Sequence, residues 1–260
     1  MSEQPALQIE GVVRDFGGLR AVDGVDMAVR KGSIHGLVGP NGAGKTTLFN
    51  VVAGLYPATL GRIVVDGLDV TRLAPEARVA AGLCRTFQTP QLFEDMTVFE
   101  TVMVACHRAG TIGILGSMLR VAAKRRDEER LHALATTQIE AVGLVPQMNV
   151  LARNLSYGQR RLLEIARALA TTPSVLLLDE VTAGLTPAET DEVAALIRRI
   201  IAGNTTVVLI EHDMRFVMGL SERVTVLNFG RKLAEGTPAE VINNEEVIIA
   251  YLGRKGRRNA

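Results

Sequence analysis

The run GPNGAGKTT, comprising Gly39, Pro40, Asn41, Gly42, Ala43, Gly44, Lys45, Thr46 and Thr47, constrains the fold more than any other part of the chain. It matches the pattern GxxxxGK[ST], follows the apolar run IHGLV and opens a helical pattern at Lys45. A buried strand, a tight turn and a helix are therefore expected in that order. Glycines let the backbone curl until its N–H groups and the helix N-terminus face phosphate oxygens. Lys45 is then placed to reach the β and γ groups of a nucleotide, and the Thr46 hydroxyl to hold Mg²⁺.

A second segment, VLLLDEVTAGL, ends four apolar residues with Asp179 and Glu180 side by side. Adjacent carboxylates at the end of a buried strand repel each other and resist desolvation unless a cation sits nearby. Phosphate-bound Mg²⁺ supplies that cation, so Asp179 fits the acidic position that holds the metal (Walker B) and Glu180 the position that orients water against the γ-phosphate. No NKxD-type guanine motif occurs in the chain, which favours ATP over GTP.

Around these motifs the pattern is α/β. LQIEGVV, VDMAV and SIHGLVG read as strands that open the chain, and RIVVDG and GLCRTFQ as further ones, suggesting an antiparallel β subdomain beside a parallel sheet. Strand signals stop between residues 95 and 151, where TVFETVMVACHRAG and RRDEERLHALATTQIEAVGL carry apolar residues at helical spacing. The expected organisation is one domain over 1–260, with an α-helical subdomain at 95–151 inserted between 1–94 and 152–260. Alternation resumes with a helix at YGQRRLLEIARALA, the strand SVLLLD, a helix from Pro187 to Ala202, the strand TTVVLIEH, two short strands and a helical tail.

Composition narrows the classes. The chain has 29 basic and 28 acidic residues, so its net charge of +1 argues against a dedicated nucleic-acid binder. MSEQPALQIE lacks a secretory n-region and h-region, and GTIGILGSMLRVAA, interrupted by Arg120, falls short of the roughly 20 apolar residues of a membrane span. Cys84 and Cys106 have no metal-ligand spacing and are expected to be buried thiols suited to a reducing cytosol. KRRDEER at 124–130 reads as a solvated helix face and RKGRR as a frayed basic end, while His35, His107 and His132 match no motif.

The segment NLSYGQRRLLEIARALA makes a family visible, because LSYGQ resembles the LSGGQ signature of ATP-binding-cassette (ABC) ATPases. Gln88 in RTFQ resembles the Q-loop, His212 in LIEHD the switch histidine, and Phe16 the aromatic residue that stacks on adenine. RTFQTPQLFEDMTVFETV, AGLTPAET, IEHDMRFVMGLSERVTVLNFG and EGTPAEVINNEEVIIAYLG narrow the resemblance to ATP-binding subunits of branched-chain amino acid importers. ATPases of lipopolysaccharide or other lipid export are near relatives, and a soluble ABC regulator is the alternative from another class.

The resemblance implies an ATP- and Mg²⁺-dependent ATPase at the cytoplasmic face of a membrane, peripheral and bound to transmembrane permease subunits. A periplasmic or extracellular binding protein would act on it indirectly, and no nucleic acid is implied. A second ATP-binding subunit, either itself or a LivF-like companion, would complete each site by lending Ser156, Gly158 and Gln159. Catalysis would fall to Glu180, His212 and Gln88, with Gln88 joining Thr46 and Asp179 at the metal. Phe87, Leu92, Phe93 and Met96 would either line the groove for the membrane subunit or belong to the core.

Three residues depart from the family pattern. Val181 replaces Pro after Glu180, Thr186 replaces the D-loop Asp, and Tyr157 replaces a signature Gly while Gly158 is retained.

Overall fold

The computed structural model describes residues 4–86, 92–107 and 121–252, without the side chains of 121–125 and 252. Contacts divide the chain into two units. One is Met1–Arg85 with Ser174–Val181 and Ile197–Ala260; the other is Thr86–Pro173 with Thr182–Leu196.

Two sheets build the first unit. Strands β1 (Leu7–Phe16), β2 (Leu19–Val29), β4 (Leu60–Val65) and β5 (Leu68–Asp69) form an antiparallel sheet in the order β2-β1-β4-β5. The other sheet combines β3 (Ile34–Val38), β6 (Leu83–Arg85), β7 (Val175–Asp179), β8 (Thr206–Ile210), β9 (Arg223–Asn228) and β10 (Arg231–Gly236), ordered β10-β9-β3-β8-β7-β6. Its pairings are parallel except β9 with β10. Every residue of β3, β7 and β8 is buried, which is why they read as mostly apolar runs without alternation. Ile9, Met27, Leu48, Phe49, Leu177 and Val208 join both sheets in one core cluster.

Helix α1 (Lys45–Val52) starts where the turn demands it. Its cap, Gly44, has φ +96°, and a Cβ there would lie 2.5 Å from the Ala21 carbonyl oxygen, so only glycine serves. At the other end, Arg78 on α2 (Pro75–Ala80) is 1% exposed. Its guanidinium donates to the Val51 and Val52 carbonyls at 2.7 and 2.6 Å, to Leu73 at 3.0 Å and to Thr71 at 2.8 Å. The last carbonyls of an α-helix lack intrahelical partners, and Arg78 supplies them.

His35, the second residue of β3, is also buried, with Nε2 2.8 Å from Thr225 Oγ1. Burial lowers its pKa from 6.5 to about 4, with opposing contributions from Glu235 on one side and Arg223 and Lys232 on the other. A base depressed in the folded state stabilises fully above its unfolded pKa and loses that contribution as pH falls from 6.5 toward 4. Between pH 7.5 and 5 the loss should be about 2 kcal/mol. Urea unfolding at both pH values should show this difference shrinking in His35→Gln; an equal difference in both proteins would place the pH sensitivity elsewhere.

The second unit contains α3 (Val98–Cys106), α4 (Val121–Ala141) and α5 (Tyr157–Leu169), and it also takes in the start of α6 (Pro187–Ala202). It therefore reaches beyond 95–151 and includes the signature helix. Thr97 caps α3 in a reciprocal box with Glu100 and itself forms an isolated antiparallel bridge with Leu151. Residues 126 and 128–130 of α4 are exposed, with Arg130 paired to Asp127. Cys84 and Cys106 are buried and free, and burial pushes the Cys106 thiol up to about 11. His107 and His132 are exposed, the latter 4.6 Å from the Phe99 ring. Among the described residues no helix is long and apolar enough to cross a membrane.

Candidate nucleotide site

A cleft of about 640 Å³ opens over the phosphate loop in the first unit, within the range of small-molecule sites. Residues 41–47 form its floor, and Leu19, Arg20, Ala21, Phe229 and Gly230 its sides. Glu180 and His212 face it from the ends of β7 and β8. The loop is fixed from outside: the Gly230 N–H donates to Ala43 O at 3.0 Å, and the Gly230 carbonyl accepts from the Asp23 N–H at 2.8 Å. Lys45 is 6% exposed and donates from Nζ to Gly39 O at 2.7 Å and Pro40 O at 3.0 Å. Burial lowers its pKa, while Glu180 and Asp179 work to raise it.

Glu180 is 8% exposed, and its backbone sits at φ +50°, a conformation that costs a non-glycine residue of order 1 kcal/mol or more. Its N–H donates to Ile210 O at 2.9 Å, so the neighbouring strand holds the bend. The carboxylate Oε1 lies 2.5 Å from His212 Nε2. With Glu180 ionised, Nε2 carries the proton and donates it. Val181, one residue on, is 1% exposed.

Asp179 is fully buried and does not line the cleft. Its Oδ2 accepts from the Arg85 guanidinium at 2.6 Å. Thr46, by contrast, is exposed at the cleft floor.

In the second unit, Ser156 caps α5 and Gln159 returns the bond, the Gln159 N–H donating to Ser156 Oγ at 3.2 Å and the Ser156 N–H to Gln159 Oε1 at 3.0 Å. Gly158 gives Glu189 room, since a Cβ there would lie 2.4 Å from Glu189 Oε1. Thr186 is engaged in its own box with Glu189 at the start of α6, which lowers the Glu189 pKa. Tyr157 accepts a hydrogen bond from Arg161 at 2.9 Å, and Arg161 pairs with Glu164 inside the unit.

Phe16 stands apart from the cleft lining. Its ring meets Tyr56 edge-on at 5.3 Å, and the Arg14 guanidinium carbon lies 4.4 Å from its centroid. Leu19 and Phe229, 66% and 85% exposed, line the cleft instead and were missed by motif reading. The only sequence signal for Phe229 is an aromatic residue beside a turn glycine. Gln88 and Phe87 lie outside the described residues; Leu92 and Met96 are half-buried and Phe93 is 49% exposed.

A capped signature helix, a phosphate loop closing onto a helix N-terminus and a Glu–His pair at neighbouring strand ends define a nucleotide-hydrolysing cassette. Residues 22–183 match the ABC transporter family, and the chain belongs to it. Residues 231–256 match a second pattern described as branched-chain amino acid ATP-binding cassette transporter. Among similar proteins are the high-affinity branched-chain amino acid transport ATP-binding protein LivG of Salmonella typhimurium, 45% identical, and BraF of Pseudomonas aeruginosa, described in the same terms and 43% identical. Each alignment covers 96% of this chain and 98% of the relative. A nucleotide-free ATP-binding cassette from an ABC transporter superposes with a TM-score of 0.84 at 31% identity, covering 96% of this chain and all of that one. The ADP conformation of MJ1267, another such cassette, gives 0.83 at 32%, again over 96% of this chain and 100% of the other. The protein is an ATP-binding cassette ATPase.

Proposed function

We propose that this chain hydrolyses Mg²⁺·ATP at the cytoplasmic face of a membrane to energise import of branched-chain or related amino acids through transmembrane permease subunits. The observation that carries the reading is the Glu180–His212 pair facing the phosphate loop across one cleft, in a chain 45% identical to LivG over nearly its whole length.

Each residue has work in that reaction. Lys45 turns from the loop carbonyls toward phosphate oxygens, joined by the orphan N–H groups at the start of α1. Glu180 orients a water and accepts its proton, and His212 holds the carboxylate in place. Thr46 and Asp179 provide oxygen donors suited to a hard cation, and the pull of Asp179 on Lys45 puts its charge beside the phosphate loop. The bound Mg²⁺ would draw charge from the phosphate oxygens. Gln88 is assigned a place beside the metal on the family resemblance alone, and Phe16 its adenine contact likewise.

The signature completes a site belonging to a second cassette. Ser156 caps α5 through its side chain, so the partly positive helix end and the Gly158 and Gln159 amides are directed at a partner's γ-phosphate. Two such contacts make a self-complementary dimer.

A mixing experiment tests this. Lys45→Ala disables a chain's own loop, and Ser156→Arg only what it lends. Each alone should be nearly inactive. In a mixture about half the dimers are mixed and each has one intact site, so ATPase activity should return to roughly a quarter of wild type. If the mixture is silent and Glu180→Gln with ATP sediments only as monomer, the self-complementary dimer is wrong, and pairing with a LivF-like companion takes its place.

A further inference from the structure

We propose that Arg85 is a positioning residue: an internal counter-ion with which a metal must compete for Asp179. The proposal rests on the reading of Asp179 as a metal-holding residue. Asp179 is 0% exposed, and an ionised carboxylate so buried is costly unless a cation pairs with it. In this structure that cation belongs to the chain. The Arg85 side chain is 7% exposed and places one guanidinium nitrogen 2.6 Å from Asp179 Oδ2.

The other arm of the same fork donates to Asn50 Oδ1 on α1. Asn50 follows Thr46 by one helical turn, on the same face of the helix that begins at the phosphate loop. Arg85 thus ties together the end of β7, the end of β6 and the helix bearing the hydroxyl read as a metal ligand, with its guanidinium carbon 5.8 Å from the Phe49 ring centroid. A planar, always-charged fork suits such a two-point tie, which a lysine cannot reproduce.

One carboxylate oxygen of Asp179 is held by Arg85 and the residue does not line the cleft, so a metal reaching it must approach against the charge of a bonded guanidinium. Arg85 thereby balances the buried charge of Asp179 from within the chain while holding metal affinity down. Since β6 is the strand from which the chain continues to Gln88, the exchange of one cation for another at Asp179 bears on the strand leading to the Q-loop.

The test uses the full chain with ADP and Mn²⁺ as the metal probe, its binding read by electron paramagnetic resonance rather than by turnover. Asp179→Asn should weaken Mn²⁺ binding; if it does not, the reading of Asp179 fails and this proposal with it. Arg85→Met should tighten Mn²⁺ binding about tenfold, the scale of coupling between contacting groups, and should have no such effect in the Asp179→Asn background. If Asp179→Asn weakens binding while Arg85→Met leaves it unchanged or weaker, Arg85 is only structural and the proposal is overturned, though the metal assignment stands. Should Arg85→Met fail to fold, Arg85→Lys and Asn50→Ala carry the test, each expected to tighten Mn²⁺ binding by a few-fold and each overturning the proposal if it does not.

Discussion

Glu180→Gln is expected to bind ATP nearly as well as the wild type and to hydrolyse it about 10² times more slowly or worse, the scale on which a general base acts. The amide has nearly the same shape, so the bend at φ +50° and the bond from its N–H to Ile210 O are preserved. What changes is the 2.5 Å contact with His212 and the capacity to take a proton. Single-turnover hydrolysis beside equilibrium nucleotide binding separates the two. A hydrolysis rate within a few-fold of wild type would mean that another group activates the water. A matching loss of binding would mean that Glu180 builds the cleft rather than working in it.

Arg78→Met should cost about 3 kcal/mol or more of folding stability, because it removes the donor to the Val51 and Val52 carbonyls at the end of α1 and to the Thr71 and Leu73 carbonyls before α2 rather than one exposed charge. Urea denaturation would read this as a lower midpoint with an unchanged slope. Arg78→Lys should recover less than half, since one ammonium cannot serve carbonyls from four residues in two separate segments. A loss below about 1 kcal/mol for Arg78→Met would show that solvent readily takes over those carbonyls.

Neither Arg78 nor Arg85 was visible in the sequence as anything but an ordinary basic residue. Motif reading found what local chain geometry dictates: the helix starting at Lys45, the capped helix at Tyr157, the helix Pro187–Ala202, and the fully buried strands whose apolar runs lack alternation. It found Asp179 by noticing that a buried acid wants a cation, and assigned that cation to the metal. Arg85, 94 positions away in sequence, already provides one. Such pairings are made by strand order, with β6 beside β7, and no spacing rule reports them. Helix α2 was missed for a related reason: six residues are too few to show periodicity. Phe229 was missed because hairpin geometry, not composition, carries it to the cleft.

The strap across the phosphate loop fixes an order of events during synthesis. The segment 39–47 is made early, yet Ala43 O waits for the Gly230 N–H, and Gly39 is fitted so closely against β9 that a Cβ would lie 2.2 Å from Leu227 O. At about 5–20 residues per second, roughly ten to forty seconds separate translation of the loop from translation of the hairpin that braces it. A nascent chain carrying the whole phosphate motif therefore still lacks the brace of a finished site, and a ribosome stalled in the second unit displays a glycine-rich loop without its β9–β10 support.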